Sequence, residues 1–194
     1  MRVVIFGATG MVGSGVLLEC LRDERVEAVL EVGRSSSEVE SQKLRKVLHD
    51  DFLSYEAIGD ELEGHDACFF CLGVSSVGMS EEDYRRITHD FTLAAAEVLT
   101  LRNPALVFCY VSGAGTDSTG EGRSMWARVK GETENVLRRL DAPTYMFRPG
   151  YIQPAEGVRS KTLLYRIGYG MAAPLYPLLE RLFPDRVTTS EILG

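Results

Sequence analysis

Met1-Arg-Val-Val-Ile-Phe-Gly7-Ala-Thr-Gly10-Met-Val-Gly13-Ser-Gly15 opens the chain, and its reading decides the fold. Val3 to Phe6 is a short apolar run closed by glycine, the pattern of a strand buried on both faces. Gly7, Gly10 and Gly13 then recur at intervals of three, and an apolar helical pattern follows at Val16, Leu17, Cys20 and Leu21. The order is strand, tight glycine turn, helix. Glycines here let the backbone turn sharply and approach a pyrophosphate, and the third lets the helix pack closely on the sheet. The helix start adds free N–H groups and the positive end of the helix dipole. Thr9, Met11 and Val12 lie between the glycines and join them as candidate diphosphate contacts. A lone glycine triplet is a weak signal. Its position between a strand and a helix strengthens it, and a β–α turn that binds nothing is the competing reading.

The 194 residues fit one domain, residues 1–194, with enough chain for a sizeable core. Hydrophobic residues make up 45% and charged residues 25%, as in soluble globular chains. A net charge of −7 argues against nucleic acid as a partner, because phosphate neutralisation needs a basic surface. The chain opens on a core strand rather than a charged leader, so no signal peptide is expected. Cys68 and Cys71 look like a redox or metal pair. They lie in the apolar run Ala67 to Leu72, where residues i and i+3 of a strand point to opposite faces. Buried small hydrophobes are the better reading, with Cys20 and Cys109 in the same class. Reduced thiols fit the cytoplasm. His49, His65 and His89 have no helical partner histidine, so no metal site is expected.

Past the opening turn, helix one is expected from about Met11 to Arg22 and strand two from Val26 to Val32. Gly33-Arg34-Ser-Ser-Ser37 leaves the end of strand two, where a dinucleotide fold places the adenine ribose. An acid there binds the 2′-hydroxyl of NAD, and an arginine accommodates the 2′-phosphate of NADP. Arg34 therefore favours NADP, with NAD less favoured. Glu31 is the rival acid, ranked second because it lies inside the strand. A solvated loop charge is the plain alternative for Arg34. Leu44 to His49 is a weak third strand, closed by Asp50-Asp51-Phe52. Asp51 and Phe52 are candidates for the adenine edge, and the two acids could equally form a turn. Tyr55 to Leu62 reads as a short helix. His65 to Gly73 is strand four, and Leu72-Gly73-Val74 lies where backbone can pass close to a cofactor.

Ser80 with Glu81, Glu82 and Asp83 marks a helix start. That helix is expected to run to about Leu101 with Ile87, Phe91, Ala94, Ala95, Val98 and Leu99 buried, and Asn103-Pro104 ends it. Ala105 to Val111 is strand five, with Ser112-Gly-Ala-Gly115 at its end and a polar loop from Thr116 to Gly122. Ser124 to Leu140 reads as a helix with Trp126, Val129, Val136 and Leu137 at helical spacing. Thr144 to Phe147 is strand six, followed by Arg148-Pro149-Gly150-Tyr151. Strands and helices alternate throughout. The fold class is α/β, a doubly wound parallel sheet with helices on both faces and ligands at the strands' carboxyl ends.

From residue 157 to 194 the pattern changes to a helical extension. Leu163 to Phe183 is apolar but holds Arg166, Glu180, Arg181, Pro174 and Pro177, a poor membrane span. Two amphipathic helices fit it better, and a partner or membrane-surface role is the minority reading; for the chain as a whole a protein partner or homodimer is left open. Thr188 or Thr189 looks like the cap of a helix that barely begins, so the natural C-terminus is expected to lie further on.

Ser112 lies fourteen residues before Trp126, and Lys130 four after it. That spacing resembles the serine, tyrosine and lysine of short-chain dehydrogenases. With Gly7-x-x-Gly10-x-x-Gly13, Arg34, Asp51-Phe52, Cys71-Leu-Gly73, Val111-Ser-Gly113, Lys130-Gly-Glu132 and Arg148-Pro-Gly150 the likeness covers most of the chain. It resembles the atypical and extended short-chain dehydrogenases of Rossmann fold, nearest to the Tat-interacting-protein-like group of NADP-binding regulators. The resemblance implies a nicotinamide dinucleotide and a small-molecule carbonyl or alcohol substrate. In that family the tyrosine exchanges a proton with the substrate, the lysine tunes it and holds the nicotinamide ribose, and the serine orients the substrate. Pro149 and Tyr151 fall at the nicotinamide end. The departure is Trp126 at the tyrosine position. An indole N–H donates a hydrogen bond but does not release its proton near neutral pH, so Trp126 cannot be the general acid. Trp126 as a core aromatic, Lys130 as a surface charge and Ser112 as a turn residue are the alternatives. Tyr110 and Tyr151 are candidates to replace the tyrosine, neither at a diagnostic spacing. An oxidoreductase and a cofactor-binding sensor without turnover are both left open, with nucleotide-sugar epimerisation a weaker third.

Overall fold

The structure is a computed structural model, and it describes residues 1–153 and 187–189. Six parallel strands form the main sheet: β1 (Arg2–Phe6), β2 (Ala28–Gly33), β3 (Leu44–Leu48), β4 (Ala67–Phe70), β5 (Val107–Val111) and β6 (Thr144–Phe147), in the order β3-β2-β1-β4-β5-β6. The order reverses between β1 and β4. The crevice beyond the carboxyl ends of those two strands is the place where open α/β sheets take ligands.

Each face of the sheet has its own apolar layer, as strand alternation requires. Val3, Ile5, Val29 and Ala67 pack under α1 (Met11–Arg22) with Val16, Leu17 and Cys20. Val4, Phe6, Leu30, Val32, Cys68, Phe70, Phe108 and Tyr110 face the other way, toward Ala95, Ala96, Leu99 and Leu137. Those last residues come from α3 (Phe91–Arg102) and α4 (Met125–Leu137). Cys68 and Cys71 fall in opposite layers, as strand geometry predicts.

One expectation is corrected: the helix from Ser80 is not one regular rod. It comprises α2 (Glu81–Arg85), a π turn (Arg86–Asp90) and then α3. Ser80 caps it, its hydroxyl accepting the Asp83 N–H at 3.1 Å. The π turn carries the Phe91 N–H back to the Arg86 carbonyl. The turn adds Thr88 and Thr92 to the buried face, beside the expected Ala95 and Leu99; Phe91, Ala94 and Val98 are partly buried against the core, and Ile87 is half-buried outside it. Thr188 and Thr189, expected to cap a helix, lie in β8 (Val187–Thr189), which pairs in parallel with β7 (Tyr151–Gln153) in a separate two-stranded sheet, and the helix they would begin lies outside the described residues. The helical reading of Leu163 to Phe183 lies outside the described residues.

Strand and helix ends otherwise fall within a few residues of the sequence reading. Tyr55 to Leu62 forms a 3₁₀ turn, Glu56–Leu62, kinked at Ile58. Among the described residues no helix is long and apolar enough to cross a membrane.

Candidate functional site

Gly7 adopts φ +79°, the left-handed conformation that glycine takes without strain. A side chain there would also meet the Cys71 carbonyl carbon and the Leu72 nitrogen at 2.8 Å. The first glycine thus locks the end of β1 against the segment leaving β4. Gly10 is the N-cap of α1, its N–H donating to the Gly7 carbonyl at 2.9 Å. A Cβ on Gly13 would overlap the Gly7 carbonyl oxygen. The third glycine is therefore what lets α1 begin directly over the strand end. No side chain caps α1, and no acid occupies its first turn. The helix start remains open to an anion, with Thr9, Met11 and Val12 on the same turn. These residues fit the diphosphate of a dinucleotide.

Arg34 is exposed just past β2 and forms no ion pair among the described residues. Glu31, its rival, is 2% exposed. Both its carboxylate oxygens are taken by Ser37, from the backbone N–H at 2.6 Å and the hydroxyl at 2.7 Å. Asp51 is exposed and forms a turn, accepting the Leu53 N–H at 3.1 Å. Phe52 turns its ring into the core, 5.5 Å from that of Phe91. What the pair leaves at the surface is Asp51 and backbone. Leu72 packs on the core, Gly73 has open space where a side chain would be, and Val74 is exposed. The β4 end thus presents backbone to the crevice.

Ser112 is buried at the end of β5, its N–H bound to the Phe147 carbonyl at 2.7 Å. Its hydroxyl lies 2.9 Å from that of Thr116. Lys130 reaches it from α4: its Nζ donates to the carbonyls of Ser112 at 3.0 Å and Val111 at 3.2 Å. An ammonium has three donors, so one remains for a ligand. Burial pushes the Lys130 pKa down to about 8, against the opposing pull of Glu134. Trp126, one turn before Lys130, is half-buried and belongs to neither apolar layer. Its ring edge borders the loop after β5, 3.5 Å and 3.7 Å from where side chains would stand at Gly115 and Gly113. The structure thus brings Ser112, Trp126 and Lys130 together. Pro149 joins the same edge, its carbonyl accepting the Ala114 N–H at 2.7 Å. Tyr151 begins β7. Tyr110 is not at the edge. Its ring is buried in the core under Lys130, and burial raises its hydroxyl well above the ordinary phenol value.

Sequence reasoning missed the residues that support this edge. Glu134 is fully buried and takes Arg148 Nε at 2.8 Å, a second Arg148 nitrogen, and Arg138 at 3.0 Å. Burial alone would raise its carboxyl. The hydrogen bonds of Arg148 and Ser112 and the two guanidinium charges overcome that and hold it below the usual value. Glu134 repeats the spacing of four from Trp126 to Lys130, and that repeat was the available signal. Gly131 lies inside the Lys130-Gly-Glu132 motif. A Cβ there would overlap the Asp117 carbonyl, so this mid-helix glycine lets the loop after β5 cross α4. The four cysteines are free, and burial holds the thiols of Cys20, Cys68, Cys71 and Cys109 above their ordinary value.

No family model matches the chain. It is 28% identical to Protein HTATIP2 of Rattus norvegicus over 153 residues, 77% of this chain and 62% of that protein. It is also 28% identical to "Protein FMP52-2, mitochondrial" of Scheffersomyces stipitis over 152 residues, 76% of this chain and 65% of that protein. The chain therefore spans less than two thirds of the length of these curated relatives. Among solved structures, the Bordetella bronchiseptica enzyme WbmG in complex with NAD matches at TM-score 0.67 and 11% identity, over 88% of this chain and 60% of that one. That likeness is one of fold. Sheet order, glycine turn and sequence likeness agree: the chain has a Rossmann fold and resembles the extended short-chain dehydrogenases, with sequence similarity to Protein HTATIP2.

Proposed function

We propose that the chain binds NADP across the β1–β4 crevice and acts as an oxidoreductase on a small carbonyl or alcohol. The observation that carries this is the meeting of Lys130 and Ser112 at the carboxyl edge that also holds the Gly7–Gly13 turn. In this reading the start of α1 takes the diphosphate and Arg34 the 2′-phosphate. Asp51 lies by the adenine. Leu72, Gly73 and Val74 pass along the cofactor, and Pro149 and Tyr151 flank its nicotinamide end. A bound nicotinamide supplies or accepts the hydride. Lys130 offers its remaining N–H to the ribose, and the Ser112 hydroxyl orients the substrate oxygen. Trp126 can donate a hydrogen bond to that oxygen but cannot deliver a proton. Lys130 can exchange one where its third N–H meets the substrate oxygen in place of the ribose, since its pKa of about 8 is close to the working pH.

A second reading is favoured by Trp126 itself: a cofactor-binding sensor without turnover, the indole closing the space in which a tyrosine would work. Purified protein with NADPH and a panel of carbonyls separates the two. Oxidation of NADPH supports the enzyme, and binding without oxidation across the panel supports the sensor. Trp126→Tyr should then raise turnover at least tenfold if the rest of the site is intact. Cofactor choice is tested by Arg34→Ala, expected to weaken NADPH more than NADH, and equal losses would contradict the 2′-phosphate role. We place the protein in the cytoplasm, a compartment that suits four free thiols. The yeast relative's name carries "mitochondrial", so fractionation of the tagged protein is the check.

A further inference from the structure

Glu31 is a carboxylate inside a parallel sheet. It stands in β2 between Ile5 of β1 and Lys46 of β3, almost without exposure. A buried charge persists only with partners, and here one residue supplies both. Ser37 gives its N–H to Oε1 at 2.6 Å and its hydroxyl to Oε2 at 2.7 Å. Short bonds to a charged acceptor are the strong kind. Lys46 holds Ser37 from the other side, its Nζ donating to the Ser37 carbonyl at 3.0 Å and to Glu40 at 2.7 Å. The loop between, Arg34 to Ser36, is exposed. Glu31 lies two residues before Gly33, on the same side of the strand, close to where an acid takes the ribose hydroxyl of NAD.

We propose that Glu31 and Ser37 form the latch that selects the cofactor. Ser37 occupies the acid that would otherwise bind an adenine-ribose 2′-hydroxyl, and in doing so folds the loop so that Arg34 meets a 2′-phosphate. The proposal rests on the NADP reading above and names the pair that sets the preference. Loss of the Ser37 hydroxyl acts twice in one direction. One carboxylate oxygen becomes free for a ribose hydroxyl, which favours NADH. The less neutralised carboxylate repels a 2′-phosphate, which disfavours NADPH.

The test is calorimetric titration of the full chain with NADPH and with NADH, read as the ratio of the two dissociation constants. A merely structural loosening of the loop would displace Arg34 and lower NADPH affinity alone, so the latch is read from the accompanying gain in NADH affinity. Ser37→Ala should lower the preference for NADPH about tenfold, the worth of one hydrogen bond to a charged group. Ser37→Thr keeps the hydroxyl and should restore the wild-type ratio. Glu31→Gln combined with Ser37→Ala should abolish the gain in NADH binding. If Arg34→Ala lowers the ratio while Ser37→Ala leaves it within twofold of wild type, the latch is wrong and the NADP reading stands. If wild type binds neither nucleotide, or Arg34→Ala and Ser37→Ala both leave the ratio unchanged, both fall.

Discussion

At Lys130 two demands meet in one side chain. Its Nζ is held by two backbone carbonyls, and its surroundings disfavour its charge. In the free protein the pKa is about 8, against about 10.4 in an unfolded chain. Between those values the unfolded state binds a proton that the native state lacks. Stability of the free protein should therefore rise with pH across that window. An anionic nucleotide prefers the ammonium, so cofactor affinity should fall as pH rises through about 8. Lys130→Met should bind weakly and show neither slope, and Lys130→Arg should keep affinity without the fall. Titrations and melts between pH 7 and 9.5 check this, and a wild-type affinity independent of pH would remove Lys130 from the cofactor site. Lys130 and Ser112 were legible in the sequence because their spacing resembles that of the serine and lysine of short-chain dehydrogenases. The support of Glu134 was not. A buried carboxylate is intelligible only once Arg138 and Arg148 are seen beside it, and Arg148 arrives from a distant strand end.

Elements are placed by the glycines between them. Gly13 allows α1 to start over the end of β1, and the neighbouring atoms are backbone, which cannot swing aside. Gly13→Ala should therefore cost about 3 kcal/mol of stability and abolish dinucleotide binding, since the turn and the helix start would separate. Chemical denaturation with a binding assay checks both effects. A variant of wild-type stability that still binds would show that the close approach of α1 is dispensable. The strands were legible from their apolar runs, and Met11–Arg22 from the pattern that follows the glycines. The π turn Arg86–Asp90 was not legible. Ile87 is the more apolar choice for the buried stripe, and tertiary packing buries Thr88 in its place and adds Thr92 beside Phe91. The pairing of Thr188 and Thr189 with Ile152 and Gln153 was not legible either, because it joins residues far apart in the chain.

On the scale of the whole molecule, an acidic protein is proposed to hold an anionic ligand. A net charge of −7 repels a dinucleotide at long range. Attraction has to be local, from the start of α1, from Arg34 and from Lys130. Salt screens the distant repulsion along with the local attraction, so affinity should depend only weakly on ionic strength, unlike that of a nucleic-acid-binding surface. The crevice also lies where the two apolar layers meet, since β1 contributes Val3 and Ile5 to one and Val4 and Phe6 to the other. A ligand bound there ties α1 on one face to the β4 and β5 ends that carry α3 and α4 on the other. Unfolding of either layer must release it, and binding therefore stabilises both. NADPH at a hundred times its dissociation constant should add about 2.7 kcal/mol, a rise in melting temperature of about 5–10 °C for a chain of this size. NADH at the same concentration should give a smaller rise, and NADPH should give little in Gly13→Ala or Arg34→Ala. Scanning calorimetry measures all of these. An unchanged melting temperature with every nicotinamide nucleotide, at concentrations up to the millimolar range, would mean that the crevice serves some other ligand, and the oxidoreductase and the sensor would fall together.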